Sequence, residues 1–350
     1  MRVAIVNDLP LAVEALKRVV LSDPANQIAW IAMDGYSAIR QCLSDRPDVI
    51  LMDLVMPGVS GADATREIMK RTPCAILVVT ATVTGNFALV NEAMGYGAYD
   101  AVETPTLGGN SASVANLLNK LKNVDRINQR LNVTSSVPAA PAKPAFVSPS
   151  GPASYAGQVP IVGIGSSTGG PAALEVLLSG LKPTFPAAIL IAQHIGEDFA
   201  KPLADWLGTR CKIRVSVARS GARPEPGTAY VAVTSDHLII TAEGTLEYTR
   251  KPADNPYRPS VDALFNSLVD ARVPPRVAVL LTGIGADGAK GMLRLRQAGW
   301  YTIAQDEQSC VVYGMPKAAA SMDAAVRILP LDRIAANLDF LLANPQPKLR

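Results

Sequence analysis

The sequence predicts an α/β protein with two units, each built on a parallel sheet, and three observations support this. A chain of 350 residues exceeds what one hydrophobic core usually contains. Short apolar runs alternate with amphipathic stretches in both halves, as repeated βα units do. A proline-rich segment separates the halves. The apolar runs are hydrophobic throughout rather than at every second residue, which predicts strands buried on both faces.

Five strands are predicted in the first half, at residues 3–6, 28–33, 49–54, 75–80 and 99–104. The stretches between them place Leu, Val and Ala at the i, i+3, i+4 spacing of amphipathic helices. Between residues 133 and 160 this pattern stops, and six prolines predict an extended linker. We therefore expect a first domain over residues 1–123, with its last helix extending to about 131, and a linker over residues 132–158.

The second half resumes the alternation, and we expect a second domain over residues 159–345. Strands are predicted at residues 161–165, 188–193 and 277–283, and a helix is predicted to begin near Pro171. Residues 228–249 have the pattern of one or two antiparallel hairpins. The second domain should therefore combine a parallel sheet with an added hairpin.

Composition excludes several classes of function. The net charge of +3 is too small for binding nucleic acid or a membrane surface by bulk electrostatics. Four cysteines lie far apart without a C-x-x-C pair, which disfavours zinc sites and disulfides. The apolar runs are shorter than a bilayer span, and the chain turns polar at Asn7, too early for a signal peptide. We expect a soluble cytoplasmic protein without direct membrane insertion.

Polar side chains follow three strands of the first half. Asn7 and Asp8 end the first strand, Asp53 ends the third and Thr80 ends the fourth. Ligands of parallel sheets bind at the carboxyl ends of strands, and two carboxylates there repel unless a cation lies between them. Oxygen ligands suit Mg²⁺. Each aspartate alone is also a common helix cap or turn residue.

Together with the run Met56-Pro57-Gly58 and with Gly61, these residues resemble the flavodoxin-like receiver domain of two-component response regulators. The resemblance implies that Asp53 accepts a phosphoryl group, that Asp8 and Asp53 bind Mg²⁺, and that Thr80 is the hydroxyl that senses phosphorylation. It also implies a histidine kinase as partner.

This sequence departs from the receiver pattern at two positions. Asn7 replaces one acid, and Thr104 replaces the lysine that receivers carry before Pro105. Losing an acidic ligand weakens metal binding, and losing the lysine removes a cation from the phosphoryl oxygens. We therefore expect a weakened Mg²⁺ site and slow or short-lived phosphorylation.

A G-x-S-x-G pattern lies between the first strand and the first helix of the second half. It centres on Ser167, and a sharp strand-to-helix turn would expose this hydroxyl near backbone N–H groups. The glycines at 163, 165 and 169 also resemble a loosened dinucleotide fingerprint. The motif alone does not distinguish a nucleophile from a phosphate-binding turn.

The two histidines of the chain favour hydrolysis. His194 ends the strand that follows the serine strand, where a dinucleotide site would need an acid; the nearest acid is Glu197. Asp287, in a glycine-rich loop after the strand at 277–283, could orient His194 and complete a triad. The chain order Ser, His, Asp differs from that of the α/β-hydrolases. His237 is more consistent with a structural or rim residue.

The runs GIGSSTGGP, IAQH, YRPSVDALF, LTGIGADGAKGM and AQDEQSCVVYGMPKAA resemble the CheB family of chemotaxis methylesterases, with a Rossmann-like fold, over residues 159–340. The resemblance implies that Ser167 is the nucleophile, His194 the base and Asp287 its partner. Backbone N–H groups near Thr168 and Ile284 would bind the oxyanion, and the esterase would need no cofactor.

The same resemblance implies a substrate and partners. The substrate would be a glutamate γ-methyl ester on the cytoplasmic helices of a methyl-accepting receptor, and related enzymes also deamidate receptor glutamines. A CheA-type histidine kinase would phosphorylate the receiver. Within the family, residues 102–109 and the Asn7-Asp8 pair look like the WspF-type, surface-sensing branch.

Two other interpretations are kept as alternatives, and a third is disfavoured by the sequence. An NAD(P)-binding oxidoreductase fused to a receiver is favoured only by the glycine spacing. A non-catalytic signalling adaptor would have lost a triad that is intact here. A DNA-binding response regulator would need a basic helix-turn-helix after the linker, and the sequence has none that we detect.

Overall fold

A computed structural model describes residues 1–81, 86–106, 111–133, 156 and 159–344. The chain divides into two compact units, Met1–Val137 and Pro138–Arg350. Most of the predicted linker, at residues 132–158, lies outside the described residues, as do position 345 and part of the segment 102–109. Among the helices that the structure describes, none is long and apolar enough to span a membrane.

The first unit contains a five-stranded parallel sheet in the order β2-β1-β3-β4-β5. Its elements, in chain order, are β1 (Arg2–Val6), α1 (Pro10–Leu21), β2 (Gln27–Ala32), α2 (Gly35–Ser44), β3 (Val49–Asp53), α3 (Gly61–Arg71), β4 (Ala75–Thr80), α4 (Phe87–Gly95), β5 (Asp100–Glu103) and α5 (Ser111–Val133). The predicted flavodoxin-like fold is confirmed. Each of the five strands lies within one residue of its predicted position at either end.

Local sequence explains these elements. Every residue of β3 is buried, as a central strand covered on both faces requires. The helix α1 starts with a proline at its first position, where the missing N–H costs nothing, and buries one stripe of Ala, Leu and Val. Asp34 and Ser60 cap α2 and α3 by accepting hydrogen bonds from backbone N–H groups.

The second unit contains a seven-stranded sheet in the order β14-β13-β12-β6-β7-β9-β8, in which every pairing is parallel. Its elements are β6 (Ile161–Ser166), α6 (Gly170–Ser179), β7 (Ala188–Gln193), α7 (Glu197–Arg210), β8 (Arg214–Val217), β9 (Thr228–Val231), β10 (His237–Ile240), β11 (Leu246–Thr249), α8 (Val261–Asp270), β12 (Val277–Leu280), α9 (Ala289–Gln297), β13 (Tyr301–Gln305), α10 (Met315–Ser321), β14 (Arg327–Leu329) and α11 (Leu331–Ala343). The predicted parallel sheet with an added antiparallel hairpin is confirmed.

Two details differ from the sequence-based expectation. Residues 228–249 contain one hairpin, β10–β11, because the buried strand β9 joins the main sheet between β7 and β8. The strand predicted to end at Gly283 ends at Leu280. Beyond Leu280, the carbonyl of Thr282 accepts a hydrogen bond from the backbone N–H of Ser167, and the N–H of Gly283 donates to the carbonyl of Val312. These residues therefore belong to the loop that follows β12.

A close approach between a helix and a strand positions the functional residues of the second unit. A Cβ atom on Gly165 of β6 would lie only 2.1 Å from Val261 Cγ1, the first residue of α8. Only glycine permits this distance. The helix buries Leu264, Phe265 and Leu268 and so places its N-terminus beside the carboxyl ends of β6 and β12.

Candidate active site

The three predicted triad residues lie beyond the carboxyl ends of three adjacent strands of the second sheet. Ser167 follows β6, His194 follows β7, and Asp287 lies in the loop after β12; β6 pairs with both of the other strands. All three residues are at most 5 % exposed. Nε2 of His194 lies 2.8 Å from Oδ2 of Asp287. The fold therefore brings together the carboxyl and the imidazole that the sequence predicts as a pair.

Asp287 receives hydrogen bonds from four donors. Oδ2 accepts from Nε2–H of His194 and, at 2.7 Å, from the backbone N–H of Val261. Oδ1 accepts from the hydroxyl of Ser260 at 2.9 Å and from the N–H of Asp262 at 3.2 Å. Burial alone would raise the pKa of Asp287, but His194 and the N–H groups of α8 lower it below the ordinary aspartate value. Asp287 is thus held as a carboxylate.

His194 has one ring nitrogen engaged and the other free for chemistry. Nε2 donates to Asp287, so the proton of the neutral ring sits on Nε2 and Nδ1 is the basic nitrogen. Nδ1 is buried and has no hydrogen-bond partner among the described residues. The ring stacks on that of Tyr257, with centroids 4.5 Å apart and planes inclined by 14°. Stacking and the carboxylate together fix the plane of the base.

Ser167 lies on a tight turn, but its hydroxyl is not exposed as the sequence predicted. The side chain is fully buried, because the loop after β12 packs against it: a Cβ atom on Gly283 would lie 2.6 Å from Ser167 Cβ. Ser167 Oγ has no hydrogen-bond partner within the described part of the chain, so no serine–histidine hydrogen bond is formed. Both the hydroxyl and His194 Nδ1 are therefore buried polar atoms in need of a partner.

The two backbone groups predicted to bind an oxyanion are available. The N–H groups of Thr168 and Ile284 donate to no acceptor among the described residues, although their neighbours Ser167 and Gly283 do. Thr168 follows Ser167 directly, and Ile284 follows Gly283, which packs on Ser167. Free N–H groups beside a buried hydroxyl suit a developing negative charge.

Sequence reasoning missed Gln193, which joins the turn at Ser167 to the end of the strand before His194. Its Nε2 donates to the carbonyl oxygens of Ser167 at 2.9 Å and His194 at 3.0 Å, and its Oε1 accepts from Ser166 at 2.6 Å. Gln193 is fully buried. A polar residue at the end of an otherwise apolar strand was the available signal.

Sequence reasoning also missed Ser260 and Tyr257, although both lie in the quoted run YRPSVDALF. Ser260 is the N-cap of α8 and accepts from the N–H of Ala263. A serine directly before an apolar helical run predicts such a cap, but no local pattern shows that the same hydroxyl reaches Asp287 or that Tyr257 stacks on His194.

The remaining polar candidates of this unit have structural partners. Both ring nitrogens of His237 are engaged, one by the N–H of Ser260 and one by the carbonyl of Pro252. Glu197, the acid nearest to a ribose-binding position, accepts from the hydroxyl of Ser235 at the start of α7. The dinucleotide interpretation gains no support from these contacts.

The first unit has a second polar pocket, at the carboxyl ends of β1, β3 and β4. Asp53 Oδ1 accepts from the N–H of Leu54 at 2.8 Å. Burial raises the pKa of Asp53 to about 6, and the nearby charge of Asp8 adds to the increase. Thr80 is buried, and its hydroxyl accepts from the amide of Asn86 at 2.8 Å. Thr104 lies beside Thr80, to whose carbonyl its N–H donates.

The donor set of this pocket fits a divalent cation held by two carboxylates. Burial is the main cause of the raised pKa of Asp53, and a cation between Asp8 and Asp53 would offset both this cost of burying a charge and the smaller repulsion from Asp8. Asn7 adds no charge, and its side-chain oxygen already accepts from the N–H of Leu9 at 2.9 Å. Among the residues that the structure describes, no group of three or more His, Cys, Asp or Glu side chains could hold a metal.

Both units of this chain match known protein families. Residues 3–107 match the response regulator receiver domain, and residues 162–338 match the CheB methylesterase. A protein-glutamate methylesterase/protein-glutamine glutaminase of Burkholderia thailandensis is 50% identical over 351 aligned residues, covering 100% of both chains. One of Burkholderia lata is 49% identical over 345 residues and 99% of each chain. The chain belongs to the CheB methylesterase family.

A solved structure agrees with this assignment for the second unit. The crystal structure of the catalytic domain of the Thermotoga maritima CheB methylesterase is 35% identical, with a TM-score of 0.51; the match covers 53% of this chain and 99% of that one. The expected CheB-type methylesterase domain, preceded by a receiver domain, is thereby confirmed.

Proposed function

We propose that this member of the CheB family hydrolyses glutamate γ-methyl esters on the cytoplasmic helices of methyl-accepting receptors, with Ser167 as the nucleophile. One observation supports this most. The Asp287 carboxylate, which accepts four hydrogen bonds, binds Nε2 of His194 and leaves Nδ1 as the basic nitrogen. This Nδ1 and the Ser167 hydroxyl are both buried without a hydrogen-bond partner among the described residues. A decayed, non-catalytic adaptor would not need this arrangement.

The mechanism uses the two buried atoms without a partner among the described residues, Ser167 Oγ and His194 Nδ1. Ser167 Oγ attacks the ester carbonyl while His194 Nδ1 takes its proton, and Asp287 stabilises the resulting imidazolium. The N–H groups of Thr168 and Ile284 bind the oxyanion. Methanol leaves with the proton from Nδ1, and a water molecule, deprotonated by the same nitrogen, releases the glutamate side chain. No cofactor takes part.

The same steps would release ammonia from a glutamine side chain. The relatives from both Burkholderia species bear the double name methylesterase and glutaminase. Because the leaving group takes its proton from the same nitrogen in both reactions, one site can perform both, and we extend the proposal to deamidation.

The test is methanol release from methylated receptor membranes. Ser167→Ala should lower the rate on the order of 10³-fold or more. Ser166→Ala is the matched control, because that hydroxyl is already bonded to Gln193 and its loss should cost far less. Near-native methanol release by Ser167→Ala would contradict the covalent mechanism.

The receiver domain regulates this activity in our proposal. Asp53 accepts a phosphoryl group from a CheA-type histidine kinase, Asp8 and Asp53 hold the Mg²⁺ that shields the phosphoryl charge, and Thr80 responds to the modified carboxyl. The protein acts in the cytoplasm. A place in the WspF-type, surface-sensing branch stays a prediction.

Two assays test regulation. Phosphotransfer to the native protein should exceed transfer to Asp53→Asn, and removal of residues 1–132 should raise the esterase rate if the unphosphorylated receiver restricts the site. Equal rates with and without these residues would remove the restriction from the proposal while leaving the esterase mechanism intact.

A further inference from the structure

A continuous series of hydrogen bonds leads from Asp287 away from the triad to the other histidine of the chain. The hydroxyl of Ser260 donates to Asp287 Oδ1 at 2.9 Å. The backbone N–H of Ser260 donates to Nδ1 of His237 at 3.1 Å, and Nε2 of His237 donates to the carbonyl of Pro252 at 3.2 Å. Ser260 and His237 are both fully buried. Solvent therefore does not compete for these bonds.

The direction of each bond at the Ser260 hydroxyl is determined by its neighbours. Asn255 Oδ1 accepts from the N–H of Tyr257, so its Nδ2 is the atom that faces Ser260 and donates at 2.9 Å. The N–H of Ala263 also donates to the hydroxyl, at 3.2 Å. Two donors occupy both lone pairs of the oxygen, so its only hydrogen must go to Asp287.

The protonation of His237 is determined in the same way. A backbone N–H can only donate, so Nδ1 of His237 must be an unprotonated acceptor for Ser260, and the ring hydrogen must lie on Nε2. Burial lowers the pKa of His237, which favours this neutral ring. The histidine is therefore a fixed acceptor that anchors the residue before α8.

We propose that Ser260 and His237 are positioning residues for the hydrolysis: Ser260 fixes the orientation of the Asp287 carboxylate, and His237 fixes Ser260. The inference rests on the proposed triad and deepens it. Without the Ser260 hydroxyl, Oδ1 keeps only the longer bond from the N–H of Asp262. The carboxylate then rotates more freely, and His194 is oriented less firmly, because only its stacking on Tyr257 is left unchanged. Both residues act through Asp287 rather than on the substrate.

The experiment is a double-mutant cycle in the full-length protein, with methanol release measured over a range of receptor concentrations. Ser260→Ala should lower kcat about 10-fold with KM unchanged, because one hydrogen bond to a charged group is lost. In the Asp287→Asn background, the same substitution should cost nothing further. Ser267→Ala is the matched control: this buried serine lies on the same helix and bonds the N–H of Ile240, not Asp287, so kcat should not change.

The outcomes separate this inference from the proposed function. If Asp287→Asn keeps a native kcat, the triad is wrong and the inference falls with it. If Asp287→Asn is impaired but Ser260→Ala lowers kcat equally in both backgrounds, Ser260 acts independently of Asp287 and only this inference is wrong. A fall in kcat for Ser267→Ala equal to that for Ser260→Ala would also overturn it.

A pair of variants tests His237 while leaving the Ser260 hydroxyl, the N-cap of α8, in place. Asn places an amide oxygen near the position of Nδ1, whereas Gln extends towards Nε2. His237→Asn should therefore retain more of the native kcat than His237→Gln at equal thermal stability. The opposite order, or equal loss in both, would overturn the role of His237 as the acceptor that anchors Ser260.

Discussion

Asp53 of the receiver and Asp287 of the esterase are both buried at or beyond the carboxyl end of a parallel sheet's apolar strand, yet their surroundings differ. Asp53 is the last residue of β3, Asp287 lies in the loop after β12, and each is at most 9 % exposed. Asp287 accepts four hydrogen bonds and sits at the N-terminus of α8. Asp53 relies on the backbone N–H groups of Leu54 and Val55 and faces the charge of Asp8. As a result, the pKa of Asp287 is lowered, and that of Asp53 is raised to about 6.

Burial acts to raise the pKa of both carboxyl groups, and the comparison teaches that the supply of donors decides whether this increase is offset. The four donors of Asp287 lie within its own unit, which fits its proposed role of orienting an imidazolium. Asp53 has fewer donors, which fits the proposal that it binds a cation and reacts with a phosphoryl donor.

The largest expected effect comes from removing the charge of Asp287. Asp287→Asn should lower kcat for methanol release about 10³-fold, because an amide neither stabilises the imidazolium nor fixes the tautomer of His194. Its fold should remain, since the carbonyl oxygen of Asn can still accept from α8. Methanol-release assays measure the change in kcat, and thermal unfolding checks that the fold is retained.

Asp262 offers a matched control for that substitution. It lies beside Asp287, and burial together with the charge of Asp287 raises its pKa to about 7. Its Oδ1 accepts from the N–H of Gly291, a bond that an asparagine can keep. Asp262→Asn should therefore cost at most a few-fold in kcat. An equal loss for the two asparagines would show that local charge in general, rather than the charge of Asp287, supports the reaction.

A smaller effect is expected at Gln193, which is as fully partnered as Asp287. Gln193→Glu replaces a donating amide with a group that cannot bond the carbonyl oxygens of Ser167 and His194. We expect a loss on the order of 10-fold to 100-fold in kcat and a lower melting temperature, since two buried acceptors lose their donor. A native kcat and an unchanged melting temperature would show that the hydrogen bonds from Gln193 to these carbonyl oxygens are not needed.

Much of this arrangement could be predicted from the sequence, because strand ends meet at one edge of a parallel sheet. Ser167, His194 and Asp287 each follow an apolar run, and Asp53, Asp8 and Thr80 do the same in the first unit. The alternation of apolar runs and amphipathic stretches likewise predicted both sheets. The pattern of residues 228–249 predicts one or two hairpins, because sequence adjacency does not reveal that β9 inserts between β7 and β8.

The partners of the triad could not be predicted, since their contacts are long-range and depend on packing. Ser260 reaches Asp287 only because Gly165 lets α8 approach β6, and Ser167 is buried only because Gly283 packs over it. A local pattern identifies a helix cap or a turn serine but not the atom that it faces across the sheet.

The smallest expected effect concerns the metal ligands of the receiver. Asn7→Asp restores a second acid beside Asp8 and should strengthen Mg²⁺ binding about 10-fold, because affinity rises with the number of charged ligands. In both proteins the affinity should fall as the pH drops through about 6, since Asp53 then binds a proton in place of the metal. Isothermal titration calorimetry measures both effects.

Asn26→Asp controls for the added charge. Asn26 precedes β2 and so lies at the other end of the sheet, where its amide donates to the carbonyl of Val20. The same charge there should leave Mg²⁺ affinity unchanged. Equal gains from the two substitutions would mean that net charge, rather than a ligand at position 7, limits the site.

Titration of the two aspartates shows directly whether their donors separate their pKa values. The protein with ¹³C at the aspartate carboxyl carbons, assigned with Asp53→Asn and Asp287→Asn, is followed by NMR without Mg²⁺. We predict that the Asp53 signal moves through a midpoint near pH 6, while the Asp287 signal stays that of a carboxylate throughout the ordinary aspartate range around pH 4. An Asp287 that becomes protonated above that range, or an Asp53 that titrates at the ordinary value, would contradict the claim that donor supply divides the two sites.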